Sequence, residues 1–180
     1  MYIKIINTIP VKYTLSQLRK DNPQVSFPVN ISNNLAEEFG VYPLQATPRP
    51  QIDYITQNCT EGTPQFINGS WAQTWVISDA SQEEIAERKQ NLIDSITDET
   101  QNRLDSFAQT RLYEGILSLC SYQNSPNLKF RTEGQYGVEA RDATWSKLYE
   151  LLDEVLSGTR PIPSGYEDIA SELPVLEWPN

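Results

Sequence analysis

The pair Asn68-Gly69, set inside residues 65–78 (QFINGSWAQTWVIS), restricts the fold of this chain more than any other feature. Both positions tolerate positive φ, which a two-residue hairpin turn needs if its twist is to match the flanking strands. Beyond the turn Trp71, Trp75 and Ile77 share one face, interrupted by Gln73, while Ala72, Thr74 and Val76 share the other. A hairpin is therefore expected here. Its two tryptophans have two readings: a core for a small module, which is the usual use of such rings, or a face on which a sugar stacks.

Immediately downstream the periodicity changes. In SDASQEEIAERK, Ser81 with Glu84 three residues on makes a capping-box pattern, and Glu83 and Glu84 suit the positive end of a helix dipole. Ile85, Leu92, Ile96 and Phe107 then fall within about a third of a turn on a helical wheel, in a background of polar residues. Leu112, Ile116, Leu117 and Leu119 spread around the wheel, so the helix is expected to run to about Tyr122 unless Gly115 breaks it. A second long helix is expected over residues 134–156. Val138, Trp145, Leu148, Tyr149, Leu152, Val155 and Leu156 form its stripe, and Gly158 stops it. TRPIPSG reads as a linker, YEDIASELP as a short helical turn, and VLEWPN as an extended tail whose Trp178 needs a place to pack.

Upstream of the hairpin, residues 2–6 and 11–13 read as a short strand pair around NTIP. TLSQLRK is a brief helix capped by Thr14 or Ser16 and ended by Asp21-Asn22-Pro23. NNLAEEFG is another, capped by Asn33 or Asn34 and closed by Gly40. Prolines 43, 48 and 50 bar a helix and a central strand from VYPLQATPRPQIDY, which reads as an extended edge or surface strap, and TQNCTEGTP reads as a polar loop. The fold class that follows is α+β: a small β-rich N-terminal module with a tight hairpin, residues 1–79, then a long antiparallel α-hairpin with an extended C-terminal tail, residues 80–180.

Charge narrows the function. Residues 1–80 carry five Lys/Arg against six Asp/Glu, and residues 81–180 carry nine against eighteen. An acidic half of this kind repels phosphate backbones and anionic lipid surfaces, so neither nucleic acid nor membrane is expected as a partner. No run of about 20 apolar residues could span a bilayer. The opening MYIKIINTIPVKY lacks the charged start and cleavage site of a signal peptide, so a soluble product made in a cytoplasm is expected.

Chemistry is sparse. Histidine is absent, which removes the commonest general base and transition-metal ligand, and neither a metal nor another cofactor is expected. Glu83-Glu84, Asp98-Glu99 and Asp153-Glu154 lie on polar helix faces and read as solvated surface. No nucleophile motif or glycine-rich phosphate loop occurs, so no enzyme is expected. Cys120 reads as inert packing beside Leu117 and Leu119. Cys59, in a polar loop, reads as exposed: either a tolerated free thiol or an intermolecular disulfide to another polypeptide.

The runs KYTLSQLRKDNPQVSFPVNISNNLAEEFGVYPLQATPRPQID, GTPQFINGSWAQTWVISDASQEEIAERK and ARDATWSKLYELLDEVLSGTRPIPSGYEDIASELPVLEWP resemble small proteins encoded beside the tail-fibre genes of tailed bacteriophages. LRKDNPQVSFP and ELPVLEWP carry the resemblance most specifically. It implies a structural component of a virion tail, a tail-fibre or baseplate-associated fibre protein. Such a protein is assembled in the host cytoplasm, docks through its N-terminal half on other tail or baseplate proteins, and serves assembly and host attachment. A bacterial surface receptor belongs to the same implied function. The alternative within the family is an assembly chaperone absent from the mature particle. The family carries no catalytic residues to transfer.

Two sites follow as expectations. In NPQVSFP, the helix stop and Pro28 display Val25 and Phe27 at a fixed geometry, as an anchor for a groove that belongs either to this chain or to a baseplate neighbour. The stripe Ile85, Leu92, Ile96 and Phe107 suits association between copies, as a dimer or trimer, or packing against helix 134–156.

Overall fold

The computed structural model describes residues 1–179 and shows an α+β chain that divides into two compact units, Met1–Ile85 and Ala86–Asn180. The chain begins with β1 (Tyr2–Ile6) and β2 (Ile9–Tyr13), then α1 (Leu15–Asp21), α2 (Asn33–Glu38) and β3 (Val41–Gln45). After a long extended stretch come β4 (Gln57–Glu61), β5 (Gln65–Ile67), β6 (Ser70–Ala72) and β7 (Trp75–Asp79). The helices α3 (Gln82–Gln109), α4 (Ile116–Ser121) and α5 (Leu128–Leu156) follow, with 3-10 turns at Tyr122–Asn124, Tyr166–Asp168 and Ala170–Glu172.

In the N-terminal unit the strands form a five-stranded sheet in the order β2-β1-β3-β6-β5 and a separate β4-β7 pair. Only the β3-β6 pairing is parallel. The turn at Asn68-Gly69 is the expected one, with φ of 50° and 81°. The β1-β2 turn repeats it at Asn7 and Thr8, φ 51° and 70°. There a β-branched residue occupies the left-handed region that glycine favours, and β2 starts earlier than the sequence suggests.

Four expectations change here. The strand beyond Gly69 is broken at Gln73-Thr74: Trp71 stays in the five-stranded sheet beside Phe66, whereas Trp75 and Ile77 enter β7 against β4. TQNCTEGTP is largely β4 rather than a loop, because its polar letters sit on a strand whose Cys59 is turned inward. Ser32, not an asparagine, caps α2. Finally, β3 is central despite Pro43. Leu44 N–H donates to the Met1 carbonyl at 2.9 Å, so Tyr2 and Pro43 form the next, non-hydrogen-bonded pair and the proline nitrogen faces away from β1. On the other side pairing with β6 begins only at Leu44↔Trp71. The missing donor falls in a gap and costs no ladder bond.

The core of this unit is Tyr13, Leu18, Ile31, Ala36 and Val41. Helix α1 enters it with Leu18 and is closed by a capping box in which Thr14 and Gln17 satisfy each other. Ser81 and Glu84 do the same for α3: Ser81 N–H donates to Glu84 Oε2 at 2.7 Å and Glu84 N–H to Ser81 Oγ at 3.2 Å. Asn58 of β4 also reaches Glu84, at 3.5 Å. The first turn of α3 is thereby tied to the β-rich unit, which runs to Ile85.

In the C-terminal unit α3 and α5 run antiparallel. Ile96 packs with Leu148 and Leu151, and Phe107 lies against Tyr136. The buried positions of α3 are Ile96, Thr100, Leu104 and Ala108, an unbroken i, i+4 row. Thr100 is tolerated at zero exposure because its hydroxyl donates to the Ile96 carbonyl at 2.8 Å, and Thr144 on α5 does the same to Ala140 at 2.7 Å.

Helix α3 stops well short of Tyr122. Tyr113 N–H donates to the Ala108 carbonyl and Leu112 N–H to the Gln109 carbonyl, which is a Schellman ending with Leu112 at the left-handed position, φ 67°. Helix α5 ends in the same motif with the usual glycine, Gly158, at φ 75°. It also begins six residues earlier than read, with Asn127 capping Lys129 and Phe130.

Candidate docking surfaces

The anchor expected at NPQVSFP seats itself in its own chain. Phe27 is partly buried against the N-terminal core, edge to face with Phe39 at 5.1 Å. Arg19 holds the segment by donating to the Pro28 and Val29 carbonyls at 2.9 and 2.7 Å. Val25 is half-buried and Pro28 exposed. The groove that takes Phe27 is therefore internal, not a neighbour's. Phe27→Ala is expected to lower the unfolding free energy by about 2 kcal/mol in urea titrations, through lost packing on Phe39. An unchanged midpoint would return Phe27 to the docking role.

The stripe on α3 is likewise occupied. Ile96 lies in the core with Ile169 and Leu173, Leu92 packs on the same cluster, and Phe107 stacks on Trp178 with centroids 4.3 Å apart. Ile85 belongs to the other unit and is half-buried. These residues do not form one free seam for a second copy.

The thiol readings diverge. Cys59 is buried opposite Ile77, so the expected exposed tether for an intermolecular disulfide is absent. Its loop became a strand because β7 supplied a partner. Cys120 is half-buried on α4, and burial pushes its thiol up. Of its expected neighbours Leu119 is buried, but Leu117 is exposed.

Three surfaces carry what the sequence reading did not find. The first is the tip of the β1-β2 hairpin. Its base is core, with Ile3 and Tyr13 buried, but Ile5, Ile6, Ile9 and Val11 are exposed at the end, apolar on both faces. The sequence hid this, because Ile5, Ile6 and Val11 read as members of a strand pair and Ile9 as part of its NTIP connection.

The second is a buried polar cluster where α3 ends. Glu133 is 3% exposed and accepts from Tyr113 Oη at 2.6 Å and from Arg111. Burial raises its carboxyl, but the hydrogen bonds from Tyr113 and Arg111 outweigh that and hold it below the usual range. Burial and the bond to Glu133 push Tyr113 up to about 12. Arg111 lies over the Trp178 ring at 4.5 Å, and the Trp178 indole donates to Thr110 Oγ1 at 2.9 Å. The cluster clamps the tail that needed a packing site. Its hydrogen bonds and ring contacts join the end of α3, α5 and the C-terminal tail.

The third is an apolar groove within the C-terminal unit, a cavity of about 270 Å³ walled by Leu92 and Ile93 of α3 and by Leu148, Leu152 and Val155 of α5. Tyr149 and Leu156 stand at it 60% and 71% exposed.

Among the described residues no group of three or more His, Cys, Asp or Glu could hold a metal ion, and no helix is long and apolar enough to cross a membrane. No family model, curated protein or solved structure matches the chain.

Proposed function

We propose that this protein is a structural component of a phage virion tail, a tail-fibre or baseplate-associated fibre protein that docks through its N-terminal half. The resemblance of LRKDNPQVSFP and ELPVLEWP to proteins encoded beside tail-fibre genes supports the class. The observation that carries the docking half is the β1-β2 tip. Four exposed apolar side chains at one end of a hairpin are unfavourable in water and stabilising once a neighbour covers them. Strand β2 is also an outer strand of its sheet. Pro10 removes one donor from that edge, so side chains rather than strand addition carry the contact.

Partners of this reading are other tail or baseplate proteins, with host attachment as the downstream role. Oligomerisation falls to surfaces other than the α3 stripe. Purified virions are expected to contain the chain in stoichiometric amount, and Ile9→Asp is expected to abolish incorporation while the isolated protein keeps its unfolding transition. The open groove of the C-terminal unit favours a second reading, an assembly chaperone, since a surface left uncovered suits transient clients. Absence of the chain from purified particles, with fibre assembly failing when its gene is removed, would replace the first reading by the second.

A further inference from the structure

We propose that the segment from Pro174 to Trp178 is an exchangeable ligand, and that its seat on α3 and α5 accepts the same segment from a second copy of this chain. The inference stands independently of the virion reading, because it rests on another surface. The segment lies outside the core of its unit. Leu173 is buried, but no residue from Pro174 to Pro179 is, and Val175 is 76% exposed. Leu176 and Trp178 pack only against the outside of a cluster whose buried members, Leu104, Ala108, Ile116 and Leu119, belong to α3 and α4.

Side chains make the attachment. Among the described residues no backbone-to-backbone hydrogen bond holds residues 174–179; the last one upstream runs from Glu172 N–H to the Ile169 carbonyl. Instead Arg103 donates to the Pro174 carbonyl at 2.6 Å, and Glu177 N–H donates to Tyr136 Oη at 2.7 Å. The Trp178 indole donates to Thr110 Oγ1 at 2.9 Å, while its ring stacks on Phe107 at 4.3 Å and faces the Arg111 guanidinium at 4.5 Å. An aromatic anchor with a few fixed polar contacts is how one chain recognises a short stretch of another.

The seat is arranged by contacts that do not involve the segment. Glu133 accepts from Tyr113 Oη at 2.6 Å and from Arg111, and Phe107 lies against Tyr136 at 5.8 Å. A wall already in place needs little reordering to take an occupant. The occupant that fits is Pro174 to Trp178 itself, which every copy carries. Exchange makes the same contacts in both arrangements, the condition under which swapping between copies costs little. Residues 174–179 reach about 20 Å when extended, enough for two adjacent copies to trade segments. In a dilute chain the tether keeps the segment at high effective concentration, so exchange is expected where copies are held together.

The test uses full-chain variants and a synthetic peptide of residues 173–179. Trp178→Ala empties the seat, whereas Tyr136→Ala spoils the seat and leaves the segment intact. Sedimentation of the two mixed should show them associating at least about tenfold more tightly than either does with itself. The peptide should bind the Trp178→Ala protein at least about tenfold more tightly than it binds the parent, whose own segment competes. Glu177→Pro, at an exposed position, removes the N–H that Tyr136 accepts and should shift peptide binding in the same direction with an unchanged circular dichroism spectrum. No gain in peptide binding by Trp178→Ala or Glu177→Pro overturns the proposal. Peptide binding without association of the mixed variants overturns the second copy as occupant.

Discussion

Gly134→Ala is expected to destabilise the C-terminal unit by about 3 kcal/mol or more, although alanine is the better helix former by about 1 kcal/mol. Gly134 lies inside α5, where the 3-10 turn after α4 crosses it. An added methyl group would sit 2.4 Å from the Gln123 nitrogen and 2.5 Å from the Tyr122 carbonyl carbon. Those are backbone atoms of a hydrogen-bonded turn and cannot swing aside. At Gly137 the obstruction is the Leu119 side chain, with Cγ at 2.7 Å, so a smaller loss is expected there. Gly165 has nothing within 4 Å of an added methyl, and alanine at that position is expected to be neutral within about 0.5 kcal/mol. Urea unfolding of the three variants ranks them. A Gly134→Ala protein as stable as the parent would mean that α5 and the turn do not approach this closely.

Glu133→Ala is expected to cost about 3 kcal/mol at neutral pH, because it strands Tyr113 Oη and the Arg111 guanidinium that the carboxylate now satisfies. Arg111 is about a third exposed and regains water, which keeps the loss near the lower end of the range for broken buried pairs. The pH dependence has a definite sign. Glu133 is held below the usual carboxylate range, so its folded form binds its proton less readily than the unfolded chain does. Its contribution is complete above the unfolded value of about 4.3 and disappears as pH falls through the lower, folded value. The gap between the parent and Glu133→Gln should therefore be widest near neutrality and narrow on acidification below about pH 4. A gap that stays constant from neutral pH to pH 3 would show that Glu133 acts by shape alone.

Both predictions fall on residues that a reading of the chain passes over, and the reason is the same. Gly134 and Glu133 look like helix-weakening and solvated letters until α4 and its turn are laid across α5. Elsewhere the local signals were sufficient. Asn68-Gly69 makes its turn, Ser81 and Glu84 cap α3, and Gly158 ends α5, because each depends on backbone torsions and hydrogen bonds within a few residues. Leu112 shows the limit of that logic. It takes the left-handed position normally filled by glycine and is 95% exposed, so neither its identity nor its surroundings announce the end of α3. Thr100 shows another. A hydroxyl that bonds its own helix can occupy the middle of a core row, and the apolar stripe then appears thinner than the buried face it belongs to.

The candidate surfaces divide along the same line. The sequence supplied Phe27, the α3 stripe and Cys59 as residues looking for a partner, and each finds one inside the chain: Phe39, the α5 and tail core, and the β7 strand. Which apolar residues remain outside, at the hairpin tip and in the α3-α5 groove, depends on the areas left uncovered after every element has packed.

The Asn68-Gly69 turn, the Ser81-Glu84 cap, the Gly158 stop and the charge asymmetry were legible in the order of residues, since the first three depend on contacts short in range and the last on composition alone. Strand partnership, the course of β3 past Pro43, the buried carboxylate and the identity of the exposed apolar faces were decided only by tertiary contacts. Burial is a property of what lies opposite, and residues far apart in the chain determine that.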